Sequence, residues 1–355
     1  MMGGWNHECV GDPLGRPCKA RGRLGHLLIL CIVLLPAGCT LRSIYDLKPS
    51  QIDTREAVPL HFDWPPGMVA NVRSFITKSQ SIDKVAMTKS VEVRCQLHTE
   101  SAENGIRVLC DETTLEGDDT LKMFLEGAPG LLAHPVLTVD AQGTVTRVDG
   151  LDGVPGALKQ ALAGNFELSS NAHGAIDLLS DPKTLDHIAR QEWWNLVAFW
   201  AGKTLQTGTL YDLKRQANVP VYDDTVDWKQ QYRLAGRVPC NDQDQSRGCV
   251  KLELISTPDP EQFDRIVKKV IAPPETAGGE HRSPPEMNLR SVQYRYTLVT
   301  RPDRLTPYWV EDRRSMTMEW PGTGSNPSRI MDVVEERQDT YDYIATGTEK
   351  VHVVK

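Results

Sequence analysis

A period of two between apolar and polar residues runs through much of this chain and limits the folds open to it. Residues 91–97 and 106–110 place apolar side chains at every second position, on either side of the turn sequence SAENG. Such alternation is typical of strands that bury one face, and the short turn favours antiparallel neighbours. The same pattern recurs in the hairpin VLTVDAQGTVTRVDG and at residues 228–238, 250–255, 292–298, 316–320 and 341–344.

Two segments carry helix signals instead. In SDPKTLDHIARQEWWNLVAFWAG, Asp181 is a suitable N-cap, Pro182 suits the first helical position and Gly202 suits a stop. In PDPEQFDRIVKKVI, Asp259 and Gln262 resemble a capping box. A shorter helix is expected near residues 154–163. Runs of strands with a few separate helices are the α+β pattern. We therefore predict an α+β fold, mainly antiparallel sheet with a few packed helices.

The predicted organisation has four parts. Residues 1–38 form a signal peptide, and residues 39–68 form a tether because they contain prolines, mixed charges and little periodicity. Residues 69–205 and 206–355 form two α+β lobes, each with a cysteine-closed strand pair, a nearby helix and further hairpins. One large domain is the alternative. Residues 272–288 are predicted to be a flexible exposed loop in the second lobe.

The N-terminal region has the three parts of a secretory signal. Four basic residues precede nine consecutive apolar residues (27–35), and small residues follow them. The apolar run is shorter than the roughly 20 residues that a membrane-spanning helix needs. Ala37, Gly38 and Cys39 resemble the lipobox of bacterial lipoproteins, although Pro36 stands where that family usually has Leu. The resemblance implies a diacylglycerol anchor on Cys39 and attachment to a membrane. A cleaved signal that happens to contain a cysteine is the alternative.

The net charge of the chain indicates which partners to expect, and the residue after Cys39 indicates which membrane. The whole chain has a formal net charge of −7, and the first 38 residues hold four basic and two acidic residues, so the remainder has a net charge of −9. Nucleic acid is a poor partner for such a surface. Thr40 follows Cys39 where, by the same resemblance, an Asp would favour the inner membrane. We therefore expect an outer-membrane anchor with the protein facing the periplasm.

Four cysteines remain after the signal and Cys39, and they form two local pairs: Cys95 with Cys110, and Cys240 with Cys249. A hairpin that turns at residues 102–103 would set Cys95 opposite Cys110, near the separation that a disulfide needs. In an oxidising compartment such pairs persist as disulfides. A zinc site would need four thiolates at shorter spacing, and neither interval fits. We therefore predict two disulfides and no metal.

Motifs for chemistry are lacking. The chain contains no G-x-S-x-G, H-E-x-x-H, P-loop or G-x-G-x-x-G sequence, and its histidines are scattered. No cofactor is expected. The sequence favours a binding protein over an enzyme, and a hydrolase or other enzyme with a site assembled from distant residues is the alternative.

The tryptophan-rich helix is the main candidate for function. Its C-terminal half is apolar on nearly every side, so it either fills a core or lines an apolar pocket. The candidate pocket residues are Trp193, Trp194, Trp200, Tyr294 and Tyr296. Envelope carriers of the lipoprotein-carrier type, in which helices plug a curved antiparallel sheet, are similar in outline. The expected partner is a lipid, another apolar ligand or an envelope protein.

Overall fold

The computed structural model describes residues 56–83, 85–117, 134–157, 181–219, 224–242, 246–271, 287–322 and 327–344. Of these residues, 62% lie in strands and 14% in helices. The predicted α+β class is therefore wrong, and the fold is β-rich. The prediction divided the strands between two α+β lobes with helices of their own, whereas the structure has one 11-stranded antiparallel sheet and little helix.

Thirteen strands and two helices have described bounds, and residues 154–157, the described part of the short helix predicted near 154–163, are also helical. The strands are β1 Ala57–Pro59, β2 Val69–Ile82, β3 Val85–Ala102, β4 Gly105–Gly117, β5 Val136–Val139, β6 Val145–Asp149, β7 Thr204–Gln206, β8 Leu210–Val219, β9 Asp224–Val238, β10 Cys249–Pro258, β11 Asn288–Thr300, β12 Pro307–Trp320 and β13 Arg329–Tyr343. The helices are α1 Pro182–Trp193, which continues as a π-helical turn over Trp194–Ala198, and α2 Pro260–Ile271. Within the described ranges, no helix has both the length and the apolar character that a membrane crossing requires.

Eleven strands form a single sheet in the order β6-β5-β4-β3-β2-β13-β12-β11-β10-β9-β8. Two meanders, β2 to β6 and β8 to β13, are joined at the centre where β13 pairs with β2. All neighbours in this sheet are antiparallel. Strands from both predicted lobes, residues 69–205 and 206–355, thus belong to one hydrogen-bonded sheet.

Helix α1 contacts both edges of this sheet. On the β6 side, Trp193 Nε1 donates to the carbonyl oxygen of Gly143 at 2.8 Å, and Arg190 Nη1 donates to that of Val145 at 2.6 Å. On the β8 side, Arg215 Nη2 donates to Gln191 Oε1 at 3.2 Å. Since one helix reaches the first and the last strand, the sheet curls around α1. On the β6 side, the helix also supplies donors to two backbone carbonyl groups, those of Gly143 and Val145.

Among the described residues, two apolar clusters occupy the concave face. The cluster under α1 contains fully buried side chains such as Val197 and Trp200, together with residues of most strands. The cluster under α2 joins Phe263, Ile266 and Val267 of the helix to strand residues that include Met316 and Met318. Both helices begin at the predicted caps, because Asp181 accepts from the backbone N–H of Thr184 and Asp259 accepts from that of Gln262.

The described part of the predicted tether, residues 56–68, lies against the sheet. Strand β1 pairs with β7, and Val58, Leu60 and Trp64 are buried. Trp64 Nε1 also donates to the carbonyl oxygen of Leu305 at 3.1 Å. An apolar residue at every second position from Val58 to Trp64 lets an extended segment bury one face. The predicted flexible loop at 272–288 falls mostly on residues 272–286, which lie outside the described residues.

Candidate functional site

A cavity of about 170 Å³ lies between α1 and the concave face of the sheet. We call it the α1 cavity. One wall is apolar and includes Leu97, Val108, Leu137, Trp193 and the Cys95–Cys110 bridge. Its lining extends from β5 to β11, strands that are six places apart in the sheet order. In a flat sheet these strands would lie about 29 Å apart. The curling of the sheet is therefore what creates the cavity.

The opposite wall carries charge. Four charged side chains of β12 and β13 line it, and Glu192 of α1 faces them. We call Asp312, Arg314, Arg337 and Asp339 the charged row. Asp312 and Arg337 are opposite each other across the two strands, and the i, i+2 spacing places all four side chains on the concave face. In the other strands, alternate side chains on the concave face are mostly apolar. In this part of β12 and β13, the side chains at those positions are charged.

Each arginine of the charged row is paired with a carboxylate. Arg314 Nη2 donates to Asp312 Oδ2 at 2.8 Å, and Arg337 Nε donates to Asp339 Oδ1 at 2.8 Å. Arg337 Nη1 also donates to Glu192 Oε1 at 3.0 Å, which ties α1 to the sheet. Asp339 is only 1% exposed. Buried charges need such partners, because an isolated one pays a large desolvation cost.

The surroundings shift several pKa values. Burial opposes the charge of Arg337, but Asp339 and Glu192 outweigh burial and hold the pKa of Arg337 well above its usual value. Burial raises the pKa of Tyr296, so its phenol stays neutral. Burial, and then the positive charge of Arg337, lowers the pKa of His134, which favours its neutral form. The desolvated wall therefore keeps Arg337 charged, whereas the rings of Tyr296 and His134 are held in their neutral forms.

The structure contains both predicted disulfides, Cys95–Cys110 and Cys240–Cys249. The register around the first differs from the prediction. The hairpin pairs Ala102 with Gly105, so Cys110 is opposite Leu97, and Cys95 lies at a register shift. A β-bulge there brings the two Cα atoms to 5.7 Å, within the usual range for a bridge.

The predicted pocket residues separate into two groups. Trp193 and Tyr296 line the α1 cavity. Trp200 is fully buried and packs edge-on against Phe199, which places it in the core beside the cavity.

Two further candidates lie outside the cavity lining. The ring of Trp194 lies under the guanidinium of Arg215, 4.4 Å from its centroid, and Tyr294 packs against Trp228 by the α2 cluster. Cys39, the predicted lipidation site, lies outside the described residues. Binding by any of these residues stays a prediction.

Sequence reasoning missed the charged row. Its signal was present in β12, where Val310, Asp312, Arg314 and Met316 follow one another at every second position. Charged residues at inward positions between apolar ones indicate a strand with a buried polar segment. The scattered His134 was also missed, because only the β4-to-β5 connection and the curl of the sheet bring it to the cavity.

Comparisons with known proteins give little further guidance. No family model and no curated protein matches the chain. Among solved structures, the outer membrane protein OprG from Pseudomonas aeruginosa is similar at 9% identity, over 81% of this chain and 97% of that one, with a TM-score of 0.14. A TM-score this low carries no argument about fold or function.

Proposed function

We propose that this is a lipid-anchored protein of the cell envelope that binds an uncharged, largely apolar ligand in the α1 cavity. The α1 cavity carries the proposal, since it combines an apolar wall with a charged wall whose charges are already paired. Ligand sites are typically concave and mostly apolar, with a few polar groups.

The size of the cavity limits the ligand. An apolar cavity of about 150 Å³ is known to hold benzene. The α1 cavity, at about 170 Å³, has room for one aromatic ring or a short stretch of acyl chain. The bound part of the ligand should therefore be small, whether it is a whole molecule or one end of a lipid.

The charges on the wall select against anions. Arg314 and Arg337 both donate to carboxylates, and three carboxylates (Glu192, Asp312 and Asp339) face these two arginines. An anionic ligand would have to displace a buried carboxylate from its arginine, which leaves that carboxylate without a partner. An uncharged ligand leaves both ion pairs intact.

Filling the cavity should weaken binding. Ala189 is buried on α1 and lines the cavity, so Ala189→Leu places extra methyl groups inside it. With 4-methylphenol as the probe, we expect calorimetric titration to show at least a tenfold loss of affinity in this variant. Ala198→Leu, at a half-buried alanine that packs on the same core outside the cavity lining, is the matched control.

The charge preference is measured in the same titrations with 4-methylbenzoate, an anion of similar size. The wild-type protein should bind the phenol more tightly than the benzoate. Equal affinity of wild type and Ala189→Leu for the phenol, or tighter binding of the benzoate, would contradict the proposal. Mass spectrometry of small molecules that co-purify with the protein then identifies the natural ligand.

The lipid anchor has its own test. Cys39→Ser in the native host should move the protein from the membrane fraction to the soluble fraction, because no thiol remains to receive diacylglycerol. Cys31→Ser, inside the apolar run, is the matched control and should leave the protein in the membrane fraction. Fractionation with immunoblotting measures both variants, and a wild-type protein that is already soluble would refute the anchor.

A hydrolase or other enzyme is the second candidate, and one observation favours it. The cavity wall holds ionisable groups, including His134 and Tyr296, whose pKa values are shifted by burial. The charged row, however, has the paired arrangement that buried charges need for stability alone. Binding therefore explains the cavity with fewer assumptions.

A further inference from the structure

Three potential metal-binding side chains meet at one corner of the α1 cavity. The sulfurs of Cys95 and Cys110 and an imidazole nitrogen of His134 all lie within 4.8 Å of one another. All three residues line the cavity. Cys95 and Cys110 come from the neighbouring strands β3 and β4, and His134 comes just before β5, so three consecutive strands position the group.

One ring nitrogen of His134 lacks a hydrogen-bond partner. Its Nε2 atom is buried and has no hydrogen-bond partner among the described residues. Buried polar atoms are almost always satisfied, so an unpartnered one indicates a missing ligand, ion or water. The neighbouring sulfurs, when bonded to each other, accept only weakly and do not meet this need.

We propose that reduction of the Cys95–Cys110 disulfide converts this corner into a zinc site with Cys95, Cys110 and His134 as ligands. A dithiol reductant supplies two electrons and two protons, the S–S bond breaks to give two thiols, and the reductant is oxidised to its own disulfide. Zinc then binds both sulfurs as thiolates and releases the two thiol protons to solvent. Imidazole and thiolate are the ligands that zinc prefers.

The geometry of the corner suits this coordination. Tetrahedral zinc holds sulfur at about 2.3 Å and nitrogen at about 2.0 Å, which sets the two sulfurs about 3.8 Å apart. The Cα atoms of the cysteines are 5.7 Å apart and stay close after reduction, because β3 and β4 remain hydrogen-bonded on either side of the bulge. Three protein ligands leave the fourth position open to the cavity, as in zinc sites that hold water or a small molecule.

Zinc binding then depends on the redox state. In the oxidised protein the two sulfurs are bonded to each other and cannot act as thiolates, so the corner holds no metal. In the reduced protein the site is complete. This inference does not rest on the proposed ligand-binding function, since its three residues need no other occupant of the cavity.

The experiment measures zinc affinity in both redox states. The protein is reduced with a phosphine, freed of reductant under anaerobic conditions and titrated with Zn²⁺ against a chromophoric chelator. A Cys240→Ser/Cys249→Ser background removes the thiols of the second bridge. We expect the reduced protein to bind Zn²⁺ at least a hundredfold more tightly than the oxidised protein. In the reduced protein, His134→Asn should weaken binding at least tenfold.

Two further variants serve as controls for the zinc titration. Cys95→Ser/Cys110→Ser should abolish the redox-dependent binding, and His98→Asn, at a histidine of β3 outside the cavity lining, should leave it unchanged. Co²⁺ in place of Zn²⁺ should give the visible absorption of a tetrahedral thiolate site. Zinc binding that is insensitive to His134→Asn would overturn the proposal, whether the reduced protein remains folded or exposes its thiols by unfolding.

Discussion

Arg337→Met should lower the free energy of unfolding by about 3 to 5 kcal/mol. Arg337 donates to both Asp339 and Glu192, and Asp339 is almost completely buried. Removal of the guanidinium leaves the carboxylate of Asp339 inside the protein with no cation beside it, which is the costly step. Urea denaturation followed by tryptophan fluorescence measures the loss.

The chain offers a matched control. Arg301 and Asp303 have the same i, i+2 spacing and a similar distance, 2.8 Å, but their side chains are 47% and 52% exposed. Arg301→Met should cost no more than about 1 kcal/mol, because water screens exposed pairs. The double variant Arg337→Met/Asp339→Leu should be more stable than Arg337→Met alone, since it has no isolated buried carboxylate. Equal losses for the two arginine variants would show that the charged row is not buried.

Trp200→Ala is the second change with a large expected effect, a loss of about 3 to 5 kcal/mol in the free energy of unfolding. The indole is fully buried, and its Nε1 donates to the carbonyl oxygen of Asn195 at 2.8 Å. Truncation leaves a void beside Phe199 and removes this hydrogen bond. The unfolding midpoint in urea gives the size of the effect.

Trp320→Ala serves as its control, because Trp320 is only half-buried at the end of β12. It should lose clearly less stability than Trp200→Ala. Trp200 lies outside the lining of the α1 cavity, so the affinity of Trp200→Ala for 4-methylphenol should change less than that of Ala189→Leu. A stable Trp200→Ala protein with poor binding would instead make Trp200 part of the ligand site.

The strands that sequence could predict are those with one apolar and one polar face. Residues 91–97 and 250–255 alternate cleanly, and both lie in the strands expected. Strand β2 was not predicted, and only the last residues of β13 were. In β13 the inward positions are occupied partly by Glu335, Arg337 and Asp339, which removes the alternation. A period of two between apolar and polar residues therefore does not identify a strand whose buried positions are charged.

The fold class was mispredicted for a related reason. Sequence periodicity reports each element's own buried face but contains no information on which elements share a core. The pairing of β13 with β2 and the curl around α1 come from contacts between residues far apart in the chain. This pairing and this curl join the separate strands and helices into one β-rich unit.

The candidate site was predictable only in its aromatic part. The composition of α1 identified Trp193, and β11 supplied Tyr296. The alternation of β12 was a local signal for Asp312 and Arg314, but Arg337, Asp339 and His134 had none, and ionisable residues are ordinarily solvent-exposed. Their burial follows from the α1 helix, which covers a concave face that would otherwise be open.

The central position of β13 affects the order in which the protein can fold. Asp83, directly after β2, accepts a hydrogen bond from Arg329, which follows it by 246 positions along the chain. During synthesis β2 is therefore made early, while the strand that covers its free edge is made late. Pairings this distant form slowly. If the chain is exported as proposed, its sheet stays incomplete until the C-terminal strand is available, which gives the secretion machinery time to move an unfolded polypeptide.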